Sequence, residues 1–373
     1  MRQPVKRMKL YEAMKQDIAK GVYYPGSFLP NELELVKKYG HARDTVRLAL
    51  ALLEDEKIIE LKKNKGRQVC PVNVEKAKVP LTFLLPCPDF LSEAFPDVAV
   101  QDTRQIFKGV SHIAFEYDYR VETVPVSPTN NQHDIDWRKL DFVNADSLVV
   151  LVGDWYRDLF PLLLERGCRK VFVYSHLAHR KDDEDFLNNS FRITINAFGA
   201  AEAAVEYLFR QGCRRTALFH YNISEPEHPV MGGYFSGLRK CGLKFAAWHE
   251  LPEEHLKLQD VKNRLKDFYK KSGGFDSLLI SPRMAIDLHL RNLYQELGLT
   301  EDIKIIVSND VANNQWVVPP LTSMVFPYED IGRIAARHLL SPEFAPGEQL
   351  VSARLIERGS TSVFSKKKEF VSI

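Results

Sequence analysis

From residue 79 onward, short runs of aliphatic and β-branched residues alternate with stretches of helical periodicity, and this alternation constrains the fold more than any other feature. Candidate strands fall at 81–85, 121–126, 147–152, 170–174, 216–221, 277–280 and 303–308, and the clearest helical patterns at 197–211 and 284–297. Runs that are apolar throughout belong to strands covered on both faces, the condition of a parallel sheet in an α/β architecture. The 295 residues of this part are long for one such sheet, so two lobes are expected. No apolar run approaches the ~20 residues that cross a bilayer, and residues 1–18 lack a signal-peptide apolar region. A soluble, cytoplasmic protein with no membrane partner is the expectation.

The formal net charge of +2 conceals an asymmetry. Residues 1–78 carry 17 Lys/Arg against 10 Asp/Glu, whereas residues 79–373 carry 34 against 39. A basic head on an acidic body suggests a polyanionic partner for the head alone. The cysteines (Cys70, Cys87, Cys168, Cys213, Cys241) are odd in number and widely spaced. They form no CxxC pair or Cys/His cluster, so neither a disulfide framework nor a zinc site is indicated.

The head reads as three helices and a hairpin. Tyr11, Met14 and Ile18 share one apolar face of a first helix over 6–20. A second helix starts near Asn31, with Glu34 placed for a capping box and Leu33, Val36 and Tyr39 as its buried side. A third, over 42–55, turns Val46, Leu50 and Leu53 inward and carries Arg43 and Arg47 four apart on one side. NKG at 64–66 reads as a hairpin turn with a basic tip, and 71–80 as a linker. This is the plan of a winged helix-turn-helix, in which a helix enters the major groove and a basic hairpin meets the adjacent groove or backbone.

Residues 18–69 resemble the GntR-type winged helix-turn-helix, matching its I-x-x-G at 18–21, P-G-x-x-L-P at 25–30, the S-R-x-T-V-R region at 42–47 and the wing glycine at Gly66. The resemblance implies that Arg43, Thr45 and Arg47 contact DNA from the recognition helix and that Gly66 lets the wing approach it. Lys63, Lys65 and Arg67 extend the basic wing as phosphate contacts, with a solvated charge run as the alternative. Two positions depart from the pattern. Leu33 stands where the family often has a DNA-contacting arginine, and Ala42 replaces a serine that could cap the third helix.

The body resembles the LacI/GalR-type effector domain, most specifically at 308–310, the PPLT of 319–322, the I-G-x-x-A of 331–335 and the R-x-S-T of 358–361. The implied fold is periplasmic-binding-protein-like: lobe 1 from 79–195 and 323–341, lobe 2 from 196–322 and 342–373, with crossings near Ile195, Ser323 and Ser341. Ligands of such folds sit at the strand ends between lobes. Polar residues orient sugar hydroxyls and aromatic faces cover the sugar. Strand-end loops nominate Asp89, Phe90, Asp154, Trp155, His176, Asn196, Tyr221, Arg283 and Asp310 as effector contacts. Asp310 matches an effector-contacting aspartate of the family, its alternative being a loop cap. For Phe90 and Trp155 the alternative is ordinary packing, and for His176 a structural histidine.

Together the two resemblances, similar to the arrangement of arabinose-repressor-type regulators, imply a homodimeric transcriptional regulator binding operator DNA. A monosaccharide or sugar phosphate, arabinose or fucose among them, would be its effector, with repression the expected output and activation the alternative. No motif of phosphate-loop, nucleophile-elbow or zinc-protease type is present, so neither catalysis nor a cofactor is expected.

Overall fold

The computed structural model describes the chain except for residues 1–2, 20–21, 25, 64, 71–78, 93–97, 130, 178–179, 222, 224–227, 253–255, 283–291, 301 and 363–373. The chain separates into two compact units, Met1–Lys78 and Val79–Ile373.

In the first unit, α1 (Gln3–Ala19), α2 (Glu32–Tyr39) and α3 (Arg43–Asp55) precede a hairpin of β1 (Ile59–Lys62) and β2 (Gly66–Val69). Tyr11, Met14, Ile18, Val46, Leu50 and Leu53 meet in its core, closed from the hairpin side by Ile59 and Val69. Asn31 caps α2 through Leu33 N and Glu34 N, and the Glu34 carboxylate returns to Asn31 N, completing the expected box. One core assignment is corrected. Leu33 is 60% exposed, and Leu35 takes the buried position instead. Leu35 pairs with Tyr39 at a spacing of four, so the inward face is rotated from the one that Leu33 and Val36 would define. Ala42 makes no side-chain cap at α3. Gly66 has φ +102°, a left-handed conformation at the wing that a Cβ would strain. The linker expected at 71–80 lies almost wholly outside the described residues.

The second unit runs β3 (Leu81–Leu85), α4 (Val98–Glu116), β4 (Val121–Pro125), β5 (Leu148–Val152), α5 (Phe160–Glu165), β6 (Arg169–Tyr174), α6 (Glu184–Asn188) and β7 (Phe191–Ile195). It continues through α7 (Ala197–Arg210), β8 (Thr216–Tyr221), α8 (Pro229–Lys240), β9 (Ala247–Leu251), α9 (Leu258–Lys271), β10 (Ser277–Ile280), α10 (Leu293–Leu297) and β11 (Lys304–Val307). Last come β12 (Thr322–Val325), α11 (Tyr328–Leu340), β13 (Gly347–Val351) and β14 (Arg354–Ile356). Two six-stranded sheets result, in the orders β13-β7-β6-β5-β3-β4 and β14-β12-β11-β10-β8-β9, parallel except where β14 meets β12. This is the α/β, two-lobed architecture expected of the body.

The crossings are revised by strand pairing. Ser323 lies in the second sheet, opposite Ile356 and Val307, and β13 pairs in register with β7 in the first. The chain therefore returns to the first lobe after Val325, not near Ser323, and leaves it after Val351, not near Ser341. Residues 342–351 belong with the first lobe because Gly347–Val351 complete its exposed edge. All three crossings, after Ile195, Val325 and Val351, lie where the two sheets meet.

Helix packing on each lobe depends on glycine. A Cβ on Gly109 or Gly332 would overlap the backbone carbonyl of Glu329 or Ile106, so α4 and α11 touch backbone to backbone. Among the described residues no helix is long and apolar enough to cross a membrane.

Candidate functional site

On the head, one carboxylate organises the basic face. Glu32, the first residue of α2, accepts hydrogen bonds from Arg43 Nε and Arg47 Nε, both at 2.9 Å. Arg67 Nη1 reaches its other oxygen at 3.5 Å. The Arg43 hydrogen bond is the leading cause of a Glu32 carboxyl held below its usual range. Arg43 and Arg47 nevertheless remain 54% and 52% exposed, with their guanidinium groups side by side on the open face of α3. Thr45 between them is half-buried, and Lys63 and Lys65 are exposed at the wing. Arg67 differs. Its Nε binds Glu54 Oε1 at 2.6 Å and its side chain is only 24% exposed, so it ties the wing to α2 and α3. In the free head its guanidinium is engaged by Glu54 and Glu32.

In the body, loops that follow strands of the two lobes approach one another, as at His176 and His228, and of the nominated residues Asp310 borders a recess. Asp89 lies exposed in the turn after β3, and Phe90 packs into the core of the first lobe. Asp154 is exposed, while Trp155 is half-buried with its ring edge-on to Tyr156 at 5.3 Å. His176 projects from the first lobe to within 5.3 Å, ring to ring, of His228 on the second. Tyr221 ends β8 and is largely buried. Asn196 sits in the first crossing, where it caps α7 through Gly199 N and approaches Ser352 Oγ at 3.3 Å across the third. Arg283 lies outside the described residues.

Asp310 forms a two-pronged ion pair with Arg358, Nη1 to Oδ1 and Nη2 to Oδ2, each at 2.9 Å. Asn314 Nδ2 also donates to Oδ1 at 2.8 Å. A carboxylate oxygen accepts about two hydrogen bonds, so Oδ1 is saturated and Oδ2 retains one acceptor position. Asp310, Gln101, Asp102, Gln105 and Arg354 border a recess of about 570 Å³ beside the crossings. That size suits a small ligand. Asn309 spans the lobes, donating to Asp102 Oδ2 and to Tyr328 Oη at 2.9 Å each.

Sequence reasoning passed over His220, whose Nε2 lies 3.0 Å from Ser308 Oγ and whose Nδ1 lies 2.8 Å from Tyr221 O. Burial lowers its pKa to about 4, so the ring is neutral in the fold. An unfolded histidine takes up a proton below about pH 6.5, while His220 resists it until about pH 4. Stability should therefore be lost as pH falls from 6.5 towards 4, by up to about 3 kcal/mol. Urea unfolding at steps between pH 7 and 4.5 measures this, and an equal acid dependence in His220→Gln would remove the assignment. Among the described residues no group of three or more His, Cys, Asp or Glu side chains is placed to hold a metal ion.

Comparison with known proteins gives the head and the body separate matches. Residues 6–69 match the family model "Bacterial regulatory proteins, gntR family", and residues 205–361 match "Periplasmic binding protein-like domain". The Uxu operon regulator of Haemophilus influenzae is 43% identical over 58 residues, 16% of this chain and 22% of that protein. The HTH-type transcriptional repressor CytR of Escherichia coli is 29% identical over 189 residues, 45% of this chain and 51% of CytR. The chain thus spans about a fifth and about half of these relatives. A LacI family transcriptional regulator from Enterococcus faecium, with bound ribose, superposes with a TM-score of 0.54 at 16% identity, covering 76% of this chain and 98% of that one. The likeness shows a shared fold.

Proposed function

Because this chain joins a gntR-family winged helix-turn-helix to a periplasmic-binding-protein-like body, we propose that it is a ligand-responsive transcriptional repressor. The observation that carries the reading is the paired display of Arg43 and Arg47 on the open face of α3, in one chain with a body of two parallel-sheet lobes. Paired guanidinium groups on a helix suit guanine edges and phosphates in the major groove. Lys63, Lys65 and the Gly66 turn offer a basic wing, and Thr45 a short polar contact. The regulator would act as a homodimer on a pseudo-palindromic operator, since a single α3 reads only a half-site.

The cleft is proposed to take a monosaccharide or sugar phosphate, with Oδ2 of Asp310, Asp89, Asp154 and Trp155 as contacts from the two lobes. Binding that favours one lobe arrangement would shift the DNA-binding equilibrium by an amount typical of such coupling, about 1–3 kcal/mol. The ribose bound in the Enterococcus faecium regulator of the same fold supports this class of ligand.

Selection of duplexes from a randomised pool by the intact protein tests the reading, followed by a thermal-shift screen of monosaccharides and their phosphates. Arg43→Ala and Arg47→Ala should each weaken binding to the selected duplex by about 1–3 kcal/mol and leave any sugar-induced shift unchanged. Full affinity in the double variant would remove α3 from the interface.

A further inference from the structure

Resting on the DNA-binding reading above, we infer that Glu32 is the positioning residue that gives the head its sequence selectivity, by holding Arg43 and Arg47 in one reading geometry. An acidic side chain beside a polyanion would ordinarily weaken binding. Its presence there calls for a reason, and the geometry supplies one. The Glu32 carboxylate takes the Nε–H groups of both arginines at 2.9 Å, engaging each guanidinium from behind. Among the described residues neither arginine makes another hydrogen bond or ion pair, so both pairs of η-nitrogens are left for a partner. Such a pair of nitrogens is the fork that meets O6 and N7 of guanine.

Free arginine side chains are rotamer-rich, and ordering two of them on binding is unfavourable. Glu32 orders both beforehand. It is itself held, being the first residue of a capped helix, 19% exposed, and approached by the wing's Arg67 on its other oxygen. Its position in α2 means that α2, α3 and the wing share a single carboxylate.

The inference separates two quantities that a simple charge effect moves together. Replacing Glu32 by Gln removes a negative charge from the basic face, which raises sequence-independent attraction to phosphates. The same change loosens the arginines, which lowers selective binding. Wild-type protein, Glu32→Gln and Glu32→Asp would each be incubated with the randomised duplex pool. Their affinities would then be measured for the duplex enriched by wild type and for a scrambled duplex of equal length, across a salt series. Thermal unfolding reports on folding of each variant.

Glu32→Gln should bind the enriched duplex about tenfold or more weaker while binding the scrambled duplex at least as tightly as wild type. Glu32→Asp keeps the charge but withdraws the oxygens by one methylene. It should lose selectivity with scrambled-duplex affinity unchanged. Tighter binding of both duplexes by Glu32→Gln would make Glu32 a repulsive charge only. Wild-type selectivity in Glu32→Asp would show that charge, and not reach, is what matters. Either result overturns the inference, as does a parallel fall in both affinities with a lowered unfolding midpoint, which would make Glu32 structural. If the wild type enriches no sequence at all, it is the DNA-binding reading that fails.

Discussion

Arg358→Leu should destabilise the body by about 3 kcal/mol or more, lowering its unfolding midpoint by roughly 5 °C. Arg358 offers both η-nitrogens to Asp310, and its Nη1 also binds the Leu321 carbonyl at 2.6 Å and Ser323 Oγ at 3.0 Å. The two charged side chains are 18% and 21% exposed, so removing the guanidinium leaves a largely desolvated carboxylate with Asn314 as its remaining side-chain donor among the described residues. The penalty comes chiefly from that stranded charge, so Arg358→Leu/Asp310→Leu should recover much of the loss. Differential scanning calorimetry of the intact protein resolves this if the body's transition is followed by itself. A double variant no more stable than Arg358→Leu would place the effect in packing rather than in the pair.

The second large effect is expected from Gly332→Leu. Every side chain at this position begins with a Cβ that would overlap the Ile106 carbonyl, and Gly109 makes the reciprocal approach to Glu329 on the other helix. Backbone atoms cannot swing aside as a side-chain tip can, so α4 and α11 must separate and the core between them open. A loss of about 4 kcal/mol or more, or failure to fold, is expected. Gly347→Ala is the contrasting substitution. Its Cβ would meet the Phe191 ring at 3.5 Å, ordinary contact distance, and the midpoint should move by less than about 2 °C. Equal effects at the two positions would show that the helix contact is not as close as described.

What the sequence disclosed follows the range of the interactions involved. Six of the seven strands read from the sequence are central in their sheets, as are β3 and β10, buried along their whole lengths, and the seventh, β4, is an edge strand with Glu122 and Thr123 exposed. β13 escaped notice because its middle residues, Glu348, Gln349 and Leu350, are exposed, and only pairing with a strand more than 150 residues away makes it part of a sheet. The displaced lobe crossing has the same origin. The Asn31–Glu34 capping box was legible because it is complete within four residues. Glu32 was not, since the arginines it joins lie 11, 15 and 35 residues further on. Asp310 was legible as a polar strand-end residue and nominated as an effector contact, but its ion-pair partner Arg358 lies 48 positions away within a motif read only as a family signature. The inward turn of Arg67 likewise depends on Glu54, which no local pattern links to the wing.

The three crossings of the body carry a mechanical consequence. Three chain segments joining the two sheets would confine a relative motion of the lobes to rotation about the line on which those segments lie. The axis is set by backbone at Asn196, Phe326 and Ser352, whereas the chemistry of the opening is set by side chains at the strand ends. Substitutions there can alter what the opening admits without moving the axis. Under the proposed function, the side chains that select a ligand and the backbone that sets the axis would be separately adjustable.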